Sequence, residues 1–100
     1  MFEPKQVYIT KRVKDEIIPE IIKGMMDSIM EIKNIVELDY LQVFDFSLSK
    51  NKKTTYINHS QEEPVYSKQL MLANLTNKFI GKVFIIDDGD CITVMLAEEY

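Results

Sequence analysis

One hundred residues, 46% of them hydrophobic and with a formal net charge of −4, describe a single domain over residues 1–100. No apolar run approaches about 18 residues and no charged-then-apolar leader opens the sequence, so neither a membrane span nor an export signal is expected. The single Cys91 excludes an internal disulfide, and a reduced, cytoplasmic setting follows as the expectation. The acidic balance argues against a broad basic face for nucleic acid, and no direct nucleic-acid binding is expected.

Along the chain, Val7-Tyr8-Ile9 is a short β-type run that should join a sheet edge. Residues 1–14 hold four bases against one acid, a segment that reads as a solvated face with room for one local phosphate or carboxylate contact. Residues 19–33 form the only convincing helix. Pro19 suits its first turn, and Ile18, Ile21, Ile22, Met25, Ile29 and Ile32 recur at three- and four-residue steps on one face. Glu20, Lys23, Asp27 and Glu31 fall largely on the other. Gly24 weakens this helix or admits a second backbone, and Asn34 should stop it.

From Tyr40 onward the pattern is β. Residues 40–46 read as a strand, 49–53 as a polar turn, and 54–59 as the antiparallel return. Pro64 interrupts the regularity, and residues 65–75 read either as a short edge strand or as a packed loop. The clearest signal is at the end. Residues 79–86 and 92–97 flank Asp87-Asp88-Gly89-Asp90, with Asp88 and Gly89 suited to positive φ in a tight hairpin turn. Val83, Ile85, Ile92, Val94 and Leu96 should enter the core. The expected fold is α+β, one amphipathic helix packed on a mainly antiparallel sheet, in the order β-α-β-β-(β)-β-β.

The chemical inventory is thin. His59 with Glu62 and Asp88 supplies the minimum for a small metal-dependent hydrolase, yet the spacing fits neither a zinc site nor a calcium loop. Cys91 stands among acids that would raise its pKa, so a strand thiol is the simpler reading. No phosphate-cradling glycine loop or nucleophile elbow occurs. No catalytic residue, metal or cofactor is therefore assigned. Six methionines and ten aromatic residues exceed what one helix on a small sheet must bury, and tyrosine and methionine suit adaptable contact surfaces. The candidate partner-binding residues are Tyr56, His59, Glu62, Glu63, Tyr66, Asp87, Asp88 and Asp90.

Several blocks together resemble a known family. Tyr40-Leu41-Gln42-Val43-Phe44, His59-Ser60-Gln61-Glu62 with Pro64 and Tyr66, Ile86-Asp87-Asp88-Gly89, and Leu96-Ala97-Glu98-Glu99-Tyr100 are similar to the family called domain of unknown function 960. So is the opening, Met1-Phe2 with Tyr8, Thr10 and Ile18-Pro19. The resemblance implies a small cytoplasmic α+β protein of Gram-positive bacteria and their mobile elements, and lends no activity or catalytic residue. Cys91 stands where the resemblance implies a histidine, which leaves a two-histidine metal site harder to build. The leading expectation is a binding module for a protein partner. A narrower version is an inhibitor of a host nucleic-acid-processing system such as a CRISPR nuclease. The alternatives are the hydrolase centred on His59, Glu62 and Asp88, and a structural homodimer.

Overall fold

The computed structural model describes residues 1–73 and 76–100. Strand β1 (Gln6–Ile9) leads into helix α1 (Lys11–Glu16) and helix α2 (Pro19–Ile32). Five strands follow: β2 (Leu41–Leu48), β3 (Thr54–Gln61), β4 (Tyr66–Ala73), β5 (Gly81–Asp87) and β6 (Cys91–Leu96). A single 3-10 turn, Ala97–Glu99, comes after β6. One six-stranded sheet runs β1-β6-β5-β2-β3-β4. Among the described residues only the β1–β6 pair is parallel, so the expected edge strand and the mainly antiparallel sheet are both present.

The single expected helix is two. Thr10 accepts a hydrogen bond from the Val13 backbone N–H and so caps α1, which buries only Val13. With six residues and one buried apolar side chain, α1 has no periodicity to read. Pro19 then requires an extended residue before it, and Ile18 is extended at φ −69°, ψ 150°. That kink ends one helix and starts the next. α2 buries Ile21, Ile22, Met25, Ile29 and Ile32, as its spacing predicts, together with Ser28.

Two details of α2 differ from expectation. A Cβ added at Gly24 would meet nothing within 4 Å, so no backbone approaches there. Asn34 supplies no left-handed cap. The helix ends at Ile32 with Lys33 in right-handed conformation, and Ile35 N–H bonds back to Ile32 O at 2.9 Å.

Residues 66–73 settle the uncertain segment as a full edge strand, paired with β3 from Gln61↔Tyr66 to Thr54↔Ala73. Pro64 falls in the turn before it, where a missing N–H costs no ladder bond. Residues 74 and 75 lie outside the described residues. The closing hairpin forms with Val83, Ile85, Ile92, Val94 and Leu96 all buried. Its turn sits one residue later than expected. Only Gly89 has positive φ (+99°), while Asp88 stays on the strand shoulder and accepts from Asp90 N at 3.0 Å and Cys91 N at 2.9 Å.

Strand alternation divides the side chains between two faces. Toward the helices point Gln42, Phe44 and Phe46, Thr55, Ile57, His59 and Gln61, and the buried residues of β5 and β6. Ser28 and Glu31 of α2 reach His59 on β3 and Lys68 on β4, which places the helix across those strands. The antiparallel register puts the β3–β4 and β5–β6 turns at one end of the sheet. The β2–β3 turn and residues 76–80 lie at the other.

Two glycines should respond in opposite ways. Gly24→Ala fills open space and should raise stability by about 0.5–1 kcal/mol. Gly89→Val forces a β-branched residue into positive φ and should cost about 1–3 kcal/mol. Urea melts of the two variants check the pair, and equal midpoints would refute both assignments.

Candidate functional site

Three local arrangements carry the polar chemistry of this chain. The first is internal. Alternation along β3 turns His59 to the helix side, where it is 0% exposed. Its cross-strand neighbour Phe44 stacks on the ring with centroids 4.2 Å apart and planes at 18°. Nδ1 lies 2.7 Å from Ser28 Oγ, and Nε2 lies 2.7 Å from Gln42 Oε1.

The direction of each hydrogen bond follows from the amides. Gln42 Nε2 donates to Asp39 O at 2.9 Å and to Gln61 Oε1 at 2.8 Å. Its oxygen must therefore accept, so His59 carries its proton on Nε2 and takes the Ser28 hydroxyl proton on Nδ1. Gln61 Nε2 donates onward to Glu37 O and Pro64 O, each at 2.9 Å. Among the described residues no buried side-chain polar atom lacks a partner. Burial, followed by the nearby charge of Lys68, lowers the His59 pKa from 6.5 to about 4. The ring is neutral at neutral pH, saturated and closed to solvent.

This placement corrects the surface role expected for His59. The strand runs two residues beyond it, and its bonds go to α2 and β2 rather than to a loop. The hydrolase trio is also apart: His59 is interior, whereas Glu62 and Asp88 lie exposed in separate turns. Among the described residues, no three His, Cys, Asp or Glu side chains gather as metal ligands.

The second arrangement centres on Asp87, which is 2% exposed. Phe2 N–H donates to it at 2.6 Å, Gly89 N–H at 2.8 Å, and Lys5 Nζ lies 2.9 Å from both oxygens. Burial pushes this carboxyl up, but Lys5 and the two backbone donors outweigh it and hold the pKa below the ordinary value. Asp87 is thus an internal clamp for the N-terminal segment, which corrects its assignment to a contact surface. The basic N-terminal face is likewise met by acids. Arg12 pairs with Glu98, Thr10 donates to Glu99 at 2.9 Å, and Lys11 bonds Asp15 at 2.8 Å.

The third arrangement is the sheet face turned away from the helices. Val43, Phe84 and Met95 form one cross-strand row there, and Leu41, Ile86, Thr93 and Tyr8 form the next. All but the exposed Tyr8 are half-buried. Tyr100, itself 71% exposed, stands edge-on over Phe84 at 5.5 Å and 78°. The neighbouring Tyr100 hydroxyl, with lesser contributions from Asp39 and Glu62, pushes the Tyr40 phenol above its ordinary pKa. Tyr40, Tyr100 and the β3–β4 turn therefore share one neighbourhood.

Of the sequence-derived candidates, Tyr56 lies on this open face, level with Ser47 and Met71. Tyr66 faces the helix side and packs on the core. Glu62, Glu63, Asp88 and Asp90 are exposed in the two turns at one sheet end. The open-face rows were missed, although Phe84-Ile85-Ile86 is a signal for them. A strand apolar at consecutive positions has two faces to cover, not one.

A family model described as "Staphylococcal protein of unknown function (DUF960)" matches residues 6–99. Comparison with curated proteins finds no match. Among solved structures, a protein of unknown function from Enterococcus faecalis is similar with a TM-score of 0.82 and 22% identity. The similarity covers 100% of this chain and 98% of that one, and at this identity it speaks to the fold.

The buried histidine has a measurable consequence. Its pKa is depressed on folding, so its share of stability is complete above about pH 6.5 and declines as pH falls toward 4. The loss across that window should be roughly 3 kcal/mol, with Asp87 adding its own loss at still lower pH. His59→Gln should flatten the decline between those pH values. His59→Ala should cost roughly 3 kcal/mol at neutral pH, because it leaves a cavity beside Phe44 and unpairs Ser28 and Gln42. Denaturant melts across pH check all of this.

Proposed function

The chain belongs to the DUF960 family, and from the uncovered apolar face of its sheet we propose that it is a protein-binding module. The supporting observation is the continuity of Leu41, Val43, Phe84, Ile86 and Met95 across three adjacent strands, with Tyr40 and Tyr100 beside them. Contiguous apolar surface rimmed by polar groups marks interaction sites more often than it marks nothing. Tyrosine adds contact area at little rotamer cost.

The rim sets the sign of the partner. Asp39, Glu62, Glu63, Asp88 and Asp90 sit at the end of the sheet beside Tyr40. They favour a partner with a basic contact surface and make association faster at low salt. In its narrower form this reading takes the partner to be a host enzyme that processes nucleic acid, whose basic groove suits such a rim. A homodimer through the same face is the competing version. The hydrolase reading loses support because both ring nitrogens of His59 are already engaged.

Phe84→Asp and Tyr100→Ser should abolish partner capture from the native bacterial host without lowering the melting temperature by more than a few degrees. Glu62→Lys with Glu63→Lys should slow association and reduce its salt dependence. Sedimentation of the purified protein separates the versions: concentration-dependent dimers lost in Phe84→Asp would replace the foreign partner with a second copy. Capture that ignores both sets of substitutions would overturn the proposal.

A further inference from the structure

Charge is segregated along the sheet. No Asp or Glu stands between Asp45 and Glu62, or between Glu63 and Asp87. These stretches include the β2–β3 turn and residues 76–80, which meet at the end of the sheet opposite the acidic turns. Lys50, Lys52, Lys53 and Lys78 are exposed there, and none forms an ion pair among the described residues. Between the two segments lies an open cleft of about 750 Å³, whose lining includes the basic Lys52, Lys53 and Lys78 and the apolar Leu48 and Ile80. Ile80 is 65% exposed.

Both walls are built rather than loose. Ser49 Oγ donates to Asn51 Oδ1 at 2.7 Å, and that oxygen also accepts Lys53 N–H at 3.0 Å. Thr54 N–H closes the turn on Ser49 Oγ at 3.2 Å. Opposite, Asn77 Nδ2 donates to Thr55 Oγ1 at 3.2 Å and to Phe79 O at 3.1 Å, while its own oxygen accepts Phe79 N–H. Lys52 holds a left-handed backbone at φ +61°, a conformation that glycine or asparagine would adopt more cheaply. Its long cationic side chain is therefore placed at the cleft in spite of the backbone.

We propose that this cleft binds a small polyphosphorylated ligand of the nucleoside polyphosphate class. Three lysines from two hydrogen-bonded segments line one cleft, a charge that suits a di- or triphosphate. Leu48 and Ile80 offer an apolar wall for a flat base, and the volume falls in the range of small-molecule sites. A long polyanion fits less well, because the basic surface stops at the cleft. Lys82 is in register with Asp45, and the adjoining groove contains Glu98, whose carboxylate pairs with Arg12.

Titration calorimetry of the full chain with ATP, inorganic triphosphate, adenosine and a short single-stranded oligonucleotide tests this. ATP and triphosphate should bind saturably, with affinity falling as salt is raised, and adenosine should bind far more weakly. Lys52→Asn should keep or raise the melting temperature while weakening ATP binding about tenfold. Lys53→Gln and Lys78→Gln should weaken it similarly, and Phe84→Asp on the other face should leave it unchanged. Absence of saturable binding to both phosphates, indifference to the lysine replacements, or tighter binding of the oligonucleotide than of ATP would each overturn the assignment.

Discussion

The saturated chain from Ser28 through His59 and Gln42 to Gln61 is the constraint on which the packing of this fold depends. Apolar burial holds α2 against the sheet but is indifferent to small slips, since one isoleucine row fits several neighbouring grooves. Hydrogen bonds are not indifferent. Moving α2 by one residue would strand the Ser28 hydroxyl and His59 Nδ1 inside the core, and each unpaired group costs about 1–3 kcal/mol. Gln61 extends the same fixation to the backbone of Glu37 and Pro64, so the two loops at that end are set by the interior. The surface formed by Tyr40, Glu62 and Tyr100 inherits its shape from buried amides beneath it.

Two ends of one sheet acquire opposite electrical character from this layout. Acids gather in the β3–β4 and β5–β6 turns, where Lys5 of the N-terminal segment neutralises Asp87, while Lys11 and Arg12 pair with Asp15 and Glu98 elsewhere. Lys50, Lys52, Lys53 and Lys78, which form no ion pair among the described residues, gather at the far end. The exposed acids of the β3–β4 and β5–β6 turns and the lysines of the β2–β3 turn and residue 78 thus stand at opposite ends of the strands. Such an arrangement orients the molecule as it approaches a charged partner or ligand, and salt weakens that orientation.

How much of this the sequence discloses depends on periodicity. The α2 stripe and the hairpin core were legible because long runs repeat at 3.6 and 2 residues. Helix α1 was not, because six residues with Val13 alone buried hold no repeat. Strand β4 was ambiguous because an edge strand is only half-covered, and Tyr66, Lys68, Leu70 and Leu72 mix polar with apolar on its inner side. The binding candidates fared worse for a related reason. Composition finds polar residues near one another in sequence, whereas burial depends on neighbours distant in it. His59 and Asp87 look like surface groups until Ser28, Gln42, Phe2 and Lys5 arrive from other segments. Membership of the family was legible from blocks of residues, while the use of the open face was not.

The parallel β1–β6 edge bears on how the chain is made. Phe2 and Asp87 are 85 residues apart, and β1 has no strand to pair with until β6 exists. During synthesis β1 therefore leaves the ribosome well before the strand it pairs with. The β2–β3–β4 meander and α2 can form earlier from contacts nearer in sequence, which close with less loss of chain entropy. Docking of the N-terminal segment must therefore await β6. Until it happens, the β6 edge and the hydrophobic pocket for Phe2 stay open to chaperones and to neighbouring chains.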